Sequence, residues 1–197
     1  MSDDPTEVLV VEDNTELASL YASWLGEEWR VHTVADGASA ITAVTEATDI
    51  VVLDRRLPGR SGDEVLEQIR ADGYACQVVI VTAVEPDFEI IEMGFDDYLV
   101  KPVDRATLNR CLTRLEHRMA YDRELREYYA QVSKKAILEA RKSRAELASS
   151  DEYTDLAECV DEQAARADEL LDDLLSDATN HSQLFHRLLG RDAAVSN

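Results

Sequence analysis

Residues 8–118 alternate between short apolar runs and stretches with the periodicity of an amphipathic helix. Four of the runs have the length and β-branched content of strands that are buried on both faces. They are Val8–Val11, Ile50–Leu53, Val78–Val81 and Tyr98–Val100, and a fifth run, Val31–Ala35, includes polar residues as an edge strand does. Since strands that alternate with helices are joined by right-handed crossovers, the pattern predicts an α/β fold whose parallel sheet is covered on both faces.

Two of the intervening stretches have the apolar spacing of helices that pack on such a sheet. The second of them follows a capping box at Ser61–Glu64, which predicts where that helix begins. The apolar positions are Leu17, Leu20, Tyr21 and Trp24 in the first stretch and Val65, Leu66 and Ile69 in the second.

The chain changes character at Asp104, which is expected to cap a long helix. Only Ser149–Asp151 interrupts the helical signal that follows, and Ser150 or Asp151 is expected to cap a second helix. The apolar positions are Leu108, Leu112, Leu115, Met119, Leu125, Tyr129, Val132 and Ala136, then Tyr153, Leu156, Val160, Ala164, Ala167, Leu171, Leu174 and Ala178. The sequence thus predicts a first domain at residues 6–118 and an all-α hairpin with a coiled-coil-like stripe at 119–190, including a short tail helix around residues 184–189.

The composition is strongly acidic, with 41 Asp and Glu against 20 Lys and Arg and a net charge of −21. This balance disfavours broad attraction to nucleic acid, and it suits either a protein adapted to high salt or an ordinary acidic cytosolic protein. No apolar run approaches the roughly 20 residues that span a bilayer, and the acidic N-terminus differs from a signal peptide. Three separated cysteines fit neither a disulfide framework nor a zinc site, so we expect a cytoplasmic protein without membrane partners.

Polar side chains follow four of the five predicted strands. Glu12 and Asp13 come after the first run, Asp54 after the Ile50–Leu53 run, Thr82 after the next and Lys101 after the last. Ligands of open parallel sheets bind at the carboxyl ends of the strands, so these side chains are expected to share one crevice. Three carboxylates there need a cation, and hard oxygen ligands suit Mg²⁺. A carboxylate, a Mg²⁺ site and two donors for phosphoryl oxygens indicate phosphoryl transfer to the carboxylate.

Each of these residues also has a purely structural interpretation. Asp13 or Asn14 is a suitable helix N-cap, Thr82 is a good β-former, and Lys101-Pro102 ends a strand. The joint pattern of an acid pair, an acid, a hydroxyl and an amine after four core strands favours the functional interpretation.

Residues 6–118 resemble the CheY-like receiver domain of two-component response regulators. The motifs that carry the resemblance are Glu12-Asp13, Asp54 with Leu57-Pro58-Gly59, Thr82-Ala83, Tyr98 and Lys101-Pro102. The resemblance implies a doubly wound, flavodoxin-like sheet of five parallel strands in the order 2-1-3-4-5, with a cis bond between Lys101 and Pro102. It also implies that a histidine kinase donates a phosphoryl group to Asp54, and that no enzymatic activity exists beyond this self-catalysed transfer and autodephosphorylation.

The same resemblance implies roles for the residues around Asp54. Asp13 and Asp54 would bind Mg²⁺ together with the backbone carbonyl of Arg56, and Glu12 would act largely through metal-bound water. Thr82 and Lys101 would bind the phosphoryl oxygens. Movement of Thr82 towards the phosphoryl group would let Tyr98 turn inward and change the neighbouring surface.

Two features depart from the receiver pattern. The stretch between Thr82 and Lys101 is about one helical turn short and contains Pro86, so its helix is expected to be short. Arg56 is bulky and charged, and it would either shield the acyl phosphate from water or lie solvated on the loop. A haloacid-dehalogenase-like phosphatase also uses an Asp nucleophile and Mg²⁺, but Arg56 stands where that class needs a second Asp.

The C-terminal half combines a basic stretch with an acidic one. Residues 123–144 carry seven basic and three acidic side chains, whereas residues 151–177 carry eleven acidic side chains and Arg166. We expect the two helices to pair antiparallel, which leaves a DNA-binding transcriptional regulator acting through 123–144 as the alternative. With Tyr128-Tyr129 and Ser133-Lys134-Lys135, this half resembles the HalX-type response regulators of haloarchaea. The leading hypothesis is a response regulator whose helical module forms a homodimer or binds a protein partner.

Overall fold

The computed structural model describes residues 5–169 and residue 171. Its strands are β1 (Glu7–Val11), β2 (Arg30–Val34), β3 (Ile50–Leu53), β4 (Gln77–Thr82) and β5 (Asp97–Val100). Its helices are α1 (Thr15–Leu25), α2 (Gly37–Ala43), α3 (Gly62–Ala71), α4 (Arg105–Arg141), α5 (Arg144–Ala148) and α6 (residues 151–169), with 3₁₀ helices at Gly26–Glu28 and Phe88–Glu92. The chain divides into two compact units between Leu115 and Glu116.

The first unit contains a five-stranded sheet in the order β2-β1-β3-β4-β5, and all strand pairs are parallel. This confirms the predicted flavodoxin-like topology. The core on one face of the sheet includes Leu9, Val51 and Ile80, which pack against Val65 and Ile69 of α3. Because side chains alternate along a strand, neighbours such as Val8, Val10, Val52 and Val79 are buried on the opposite face.

Two details of burial differ from the prediction. Tyr98–Val100 was expected to be buried on both faces, but every residue of β5 is only half-buried. The reason is that β5 is the second edge strand, and it follows a 3₁₀ turn rather than a full helix. In α1 the buried residues are Ala18, Tyr21 and Leu25, so the buried face is rotated from the predicted one and Leu20 is 42% exposed.

The second unit contains two helix breaks where the sequence analysis expected one. Helix α4 ends at Arg141, and Ser143 begins α5 with a capping box to Glu146, which the sequence analysis overlooked. The predicted cap of the next helix is confirmed, because Ser150 Oγ accepts a hydrogen bond from the backbone N–H of Tyr153 at 3.1 Å. The predicted Asp104 cap of α4 is also present, at 2.7 Å from the N–H of Thr107.

Helices α4 and α6 pack together as the predicted hairpin. The Tyr153 hydroxyl donates to Glu139 Oε1 at 2.7 Å, and Asp161 acts electrostatically on Lys135. The residue further along α6 is therefore near the residue earlier in α4, as antiparallel pairing requires. The predicted α6 stripe is buried or half-buried from Tyr153 to Ala167, whereas Tyr129 and Ala136 of α4 are exposed. Leu174, Ala178 and the predicted tail helix lie outside the described residues. None of the described helices is long and apolar enough to span a membrane.

Gly62 packs directly against the backbone that follows β3. Its N–H donates to Arg55 O at 2.9 Å, and a Cβ added here would lie 2.1 Å from Asp54 O and 2.7 Å from Arg55 Cα. Since the obstacle is backbone, we expect Gly62→Ala to lower the free energy of unfolding by about 3 kcal/mol, measured by urea denaturation. As a control, Gly59→Ala meets open space and only a φ of +78°, so a loss of about 1 kcal/mol is expected. Equal losses would contradict the packing argument.

Candidate functional site

Three carboxylates meet at the carboxyl ends of β1 and β3. The two strands are neighbours with Val11 opposite Leu53, so Glu12 and Asp54 leave the sheet side by side. Glu12 is 3% exposed and Asp54 is 7% exposed, whereas Asp13 is exposed. One oxygen from each of the three carboxylates lies within 4.8 Å of the others.

Asn14 and Arg56 help to fix this arrangement. The Asn14 side chain caps α1 by accepting hydrogen bonds from the N–H groups of Glu16 and Leu17, both at 3.1 Å. Asn14, and not Asp13, is therefore the N-cap of α1, which leaves the Asp13 carboxylate available for the site. The Arg56 N–H donates to Asp54 Oδ1 at 3.0 Å and orients that carboxylate.

Lys101 joins the two buried carboxylates. Its Nζ lies 2.6 Å from Glu12 Oε2 and 2.6 Å from Asp54 Oδ2. Its backbone N–H donates to Thr82 O at 2.8 Å, and the Lys101-Pro102 bond is cis, as the resemblance implied. The ammonium group therefore supplies the positive charge that these carboxylates need.

The pKa values of these groups follow from burial opposed by ion pairing. Burial raises the pKa of Glu12 above its ordinary value, although the hydrogen bond and charge of Lys101 act against this. For Lys101, burial lowers the pKa, but hydrogen bonds to Asp54 and Glu12 outweigh it and the pKa is raised. Lys101 is consequently charged at neutral pH.

Thr82 and Tyr98 lie on the neighbouring strands. Thr82 ends β4 and is fully buried, and its Oγ1 accepts a 3.4 Å hydrogen bond from the Val84 N–H. The half-buried Tyr98 ring packs on Phe95 with ring centroids 5.5 Å apart, and its hydroxyl donates to Val84 O at 2.8 Å. The Tyr98 side chain is thus already turned inward.

Arg55, and not the predicted candidate Arg56, is the arginine that enters the interior beside Asp54. The Arg56 side chain is exposed, which agrees with its solvated interpretation. Arg55 is nearly buried, and it forms ion pairs of 2.7 Å with both Asp63 and Glu89. Nothing in the local pattern distinguishes the two arginines, because the acidic partners of Arg55 lie 8 and 34 positions further along the chain.

The donor chemistry of the site fits a magnesium ion. Carboxylate oxygens are hard ligands, and Mg²⁺ is commonly held by one or two carboxylates together with water and phosphate oxygens. Exposed Asp13 and buried Asp54 offer such oxygens beside the Arg56 backbone. Within the described residues, Glu12, Asp13 and Asp54 are the only group of carboxylate, His and Cys side chains with this spacing.

Comparison with protein families matches both units. The family model of the response regulator receiver domain matches residues 8–113, and that of the HalX domain matches residues 117–185. A Haloferax volcanii protein named "Putative transcriptional regulator" is 44% identical over 135 residues, which are 68% of this chain and 23% of that protein. The "DNA-binding response regulator MtrA" of Mycolicibacterium paratuberculosis is 38% identical over 100 residues, or 48% of this chain and 44% of that protein. The chain therefore spans less than half the length of these curated relatives.

Solved structures resemble the first unit. The receiver domain of the sensor histidine kinase PA1611 from Pseudomonas aeruginosa, with a magnesium ion coordinated in its active site cleft, is 32% identical with a TM-score of 0.52. The match covers 57% of this chain and 98% of that one. The BeF3-activated receiver domain of Klebsiella pneumoniae RstA is 30% identical with a TM-score of 0.51, covering 55% of this chain and 96% of that one.

Proposed function

We propose that this chain, which belongs to the response regulator receiver domain family and continues into a HalX domain, is a switch operated by phosphorylation of Asp54. The observation that carries the proposal is the Lys101 ammonium held 2.6 Å from both Asp54 and Glu12, beside Asp13, at the carboxyl ends of parallel strands. The family implies a histidine kinase as the phosphoryl donor.

Each residue of the site has a role in the proposed transfer. An oxygen of Asp54 forms a bond to phosphorus while the bond from phosphorus to the histidine nitrogen of the kinase breaks. The bonding pair of electrons stays with that nitrogen, and the imidazole leaves as a neutral ring when its other nitrogen carries a proton. Lys101 and Thr82 donate hydrogen bonds to the phosphoryl oxygens. Bound Mg²⁺ would neutralise charge that develops on those oxygens. Asp13, Asp54 and the Arg56 carbonyl would hold the ion, with Glu12 acting through its water.

The magnesium requirement can be tested at Asp13, which is exposed and so can be changed without disturbing the core. We expect Asp13→Asn to raise by at least about tenfold the Mg²⁺ concentration that gives half-maximal phosphorylation by acetyl phosphate, because one charged ligand is lost. Intact-protein mass spectrometry measures the modification, and EDTA should abolish it in the unchanged protein. Asp36→Asn, at the half-buried N-cap of α2, is the control and should leave the Mg²⁺ dependence unaltered. Phosphorylation in EDTA would contradict the proposal.

The output of the switch is proposed to be a change in the helical unit. Helix α4 begins in the first unit and ends in the second, so a shift at its base can be passed along its length. The described part of the second unit carries exposed apolar side chains at Tyr129 and Ile137. These suit association with a second copy or with a protein partner, and the phosphoryl group would alter that association.

DNA binding through 123–144 is the second candidate, favoured by the basic charge of this stretch and by the names of the relatives. Two lysines of this stretch already have acidic partners, which argues against contact with DNA phosphates. Lys135 pairs with Glu139 at 2.7 Å, and Lys142 pairs with Glu146 at 3.2 Å. We therefore expect Lys134→Gln with Lys135→Gln to leave any salt-dependent DNA binding unchanged in a fluorescence anisotropy titration. Loss of binding together with a reduced salt slope would instead support DNA contact. Light scattering of the same samples, with and without beryllofluoride, measures the molar mass and thereby the expected change in association.

A further inference from the structure

Arg55 connects two separate segments beside the phosphoacceptor. Its Nε and Nη2 donate to the two carboxylate oxygens of Asp63 at 2.8 and 2.7 Å, and Nη2 also lies 2.7 Å from Glu89 Oε1. Asp63 is in the first turn of α3, whereas Glu89 belongs to the 3₁₀ helix Phe88–Glu92 between β4 and β5. We call Arg55, Asp63 and Glu89 the Arg55 bridge. The bridge ties the residue after Asp54 to the segment that follows Thr82.

In the Arg55 bridge, the arginine is buried and the two carboxylates are exposed. The Arg55 side chain is only 10% exposed, while the Asp63 and Glu89 side chains are 41% and 57% exposed. The guanidinium is thus held in the interior by carboxylates that reach it from the surface. The bond to Glu89 is the weaker one, because it is a single contact to a solvated carboxylate, whereas the bond to Asp63 is bidentate.

The bridge also reaches Tyr98. Hydrogen bonding to Asp63 is the main cause that raises the pKa of Arg55, and the neighbouring Tyr98 hydroxyl and Glu89 add to it. Among the described residues, Nη1 of Arg55 is buried without a hydrogen-bond partner, and the Tyr98 hydroxyl donates its own proton to Val84 O at 2.8 Å. The guanidinium therefore lies beside a ring that is held by Val84 and Phe95, which flank the 3₁₀ helix that carries Glu89.

We propose that Arg55 is a positioning residue that holds the 88–92 segment and the Tyr98 ring in the inward arrangement, and thereby favours phosphoryl binding at Asp54. The inference rests on the proposed function, because it requires that a phosphoryl group on Asp54 also favours the inward Tyr98. Coupling between two sites is reciprocal, so a group that raises the inward fraction of Tyr98 also raises the apparent affinity for the phosphoryl group in proportion to that fraction. Arg55 itself is not required to touch the phosphoryl group.

A merely structural role would have different consequences. If the bridge only anchored the start of α3, breaking it would change the stability of the fold and leave the position of Tyr98 unaltered. The test therefore needs a direct signal from Tyr98. Fluorotyrosine placed at position 98 of the full chain provides one, because ¹⁹F NMR resolves rings in different surroundings.

The informative variant is Glu89→Gln, which keeps the shape of an exposed side chain and removes its charge. Glu92→Gln is the matched control, since Glu92 is exposed on the same 3₁₀ helix and is not a partner of Arg55. We expect Glu89→Gln to shift the equilibrium between inward and outward Tyr98 two- to fivefold towards outward, and Arg55→Met to shift it by about tenfold. Glu92→Gln should match the unchanged protein.

Beryllofluoride with Mg²⁺ serves as the phosphoryl mimic in the same samples. Its apparent affinity should fall in Glu89→Gln in proportion to the measured loss of the inward fraction of Tyr98, and saturation should restore the inward ring. An unchanged Tyr98 signal in both bridge variants, in a chain that still binds beryllofluoride, would overturn the role of Arg55. Failure of the unchanged protein to bind beryllofluoride would instead overturn the proposed function. The Tyr98 signals of the unliganded variants would still show whether Arg55 holds the ring inward.

Discussion

Asp54→Asn is expected to abolish phosphorylation by acetyl phosphate in the presence of Mg²⁺. The side-chain amide has no anionic oxygen to attack phosphorus, and it removes one of the three carboxylates that gather within 4.8 Å of one another. Intact-protein mass spectrometry should show the gain of one phosphoryl group in the unchanged chain and none in the variant.

Two controls make this result specific. Asp72→Asn changes an exposed carboxylate at the end of α3, outside both the site and the Arg55 bridge, and it should be modified like the unchanged chain. Hydroxylamine treatment should remove the phosphoryl group from the unchanged chain, because an acyl phosphate reacts with this nucleophile whereas a phosphoserine does not. A phosphoryl gain that persists in Asp54→Asn would show that the phosphoacceptor is a different residue.

Lys101→Met is expected to lower the free energy of unfolding by about 3–5 kcal/mol, because it leaves two buried carboxylates without their cation. The side chains concerned are largely buried, with 17% exposure for Lys101, 4% for Glu12 and 8% for Asp54. Urea denaturation of the variant and the unchanged chain measures the difference. Lys134→Met is the control, since Lys134 is exposed, and it should change stability by less than about 0.5 kcal/mol.

The pH dependence of this difference follows from the sign of the Lys101 pKa shift. A pKa raised above 10.5 in the folded state means that the Lys101 contribution is fully present below pH 10.5 and is lost as the pH rises through the folded value. The difference between the two proteins should therefore shrink in alkaline solution. Mg²⁺ should recover part of the stability of Lys101→Met at neutral pH, since it binds the folded carboxylates. A loss below about 1 kcal/mol at neutral pH would contradict the assigned role of Lys101.

The strands and most helix ends could be predicted because their signals are local. The four β-branched runs and the cap residues Ser61, Asp104 and Ser150 each act on neighbours within a few positions. The same local signal is present at Ser143 and Glu146, but no Gly or Pro marks that break, so the pattern resembles one continuous helix. The gathering of Glu12, Asp54 and Lys101 was also foreseeable, since parallel strands end at one edge of the sheet.

The sequence by itself therefore determined the parallel sheet, the hairpin of α4 and α6, and the edge at which the carboxylates meet. Only the tertiary structure decided that β5 is half-buried and that Arg55 rather than Arg56 enters the interior. The physical reason is the range of the interactions. Periodicity and capping depend on adjacent residues, whereas the burial of a side chain depends on which distant segment, such as the one carrying Glu89, comes to lie against it.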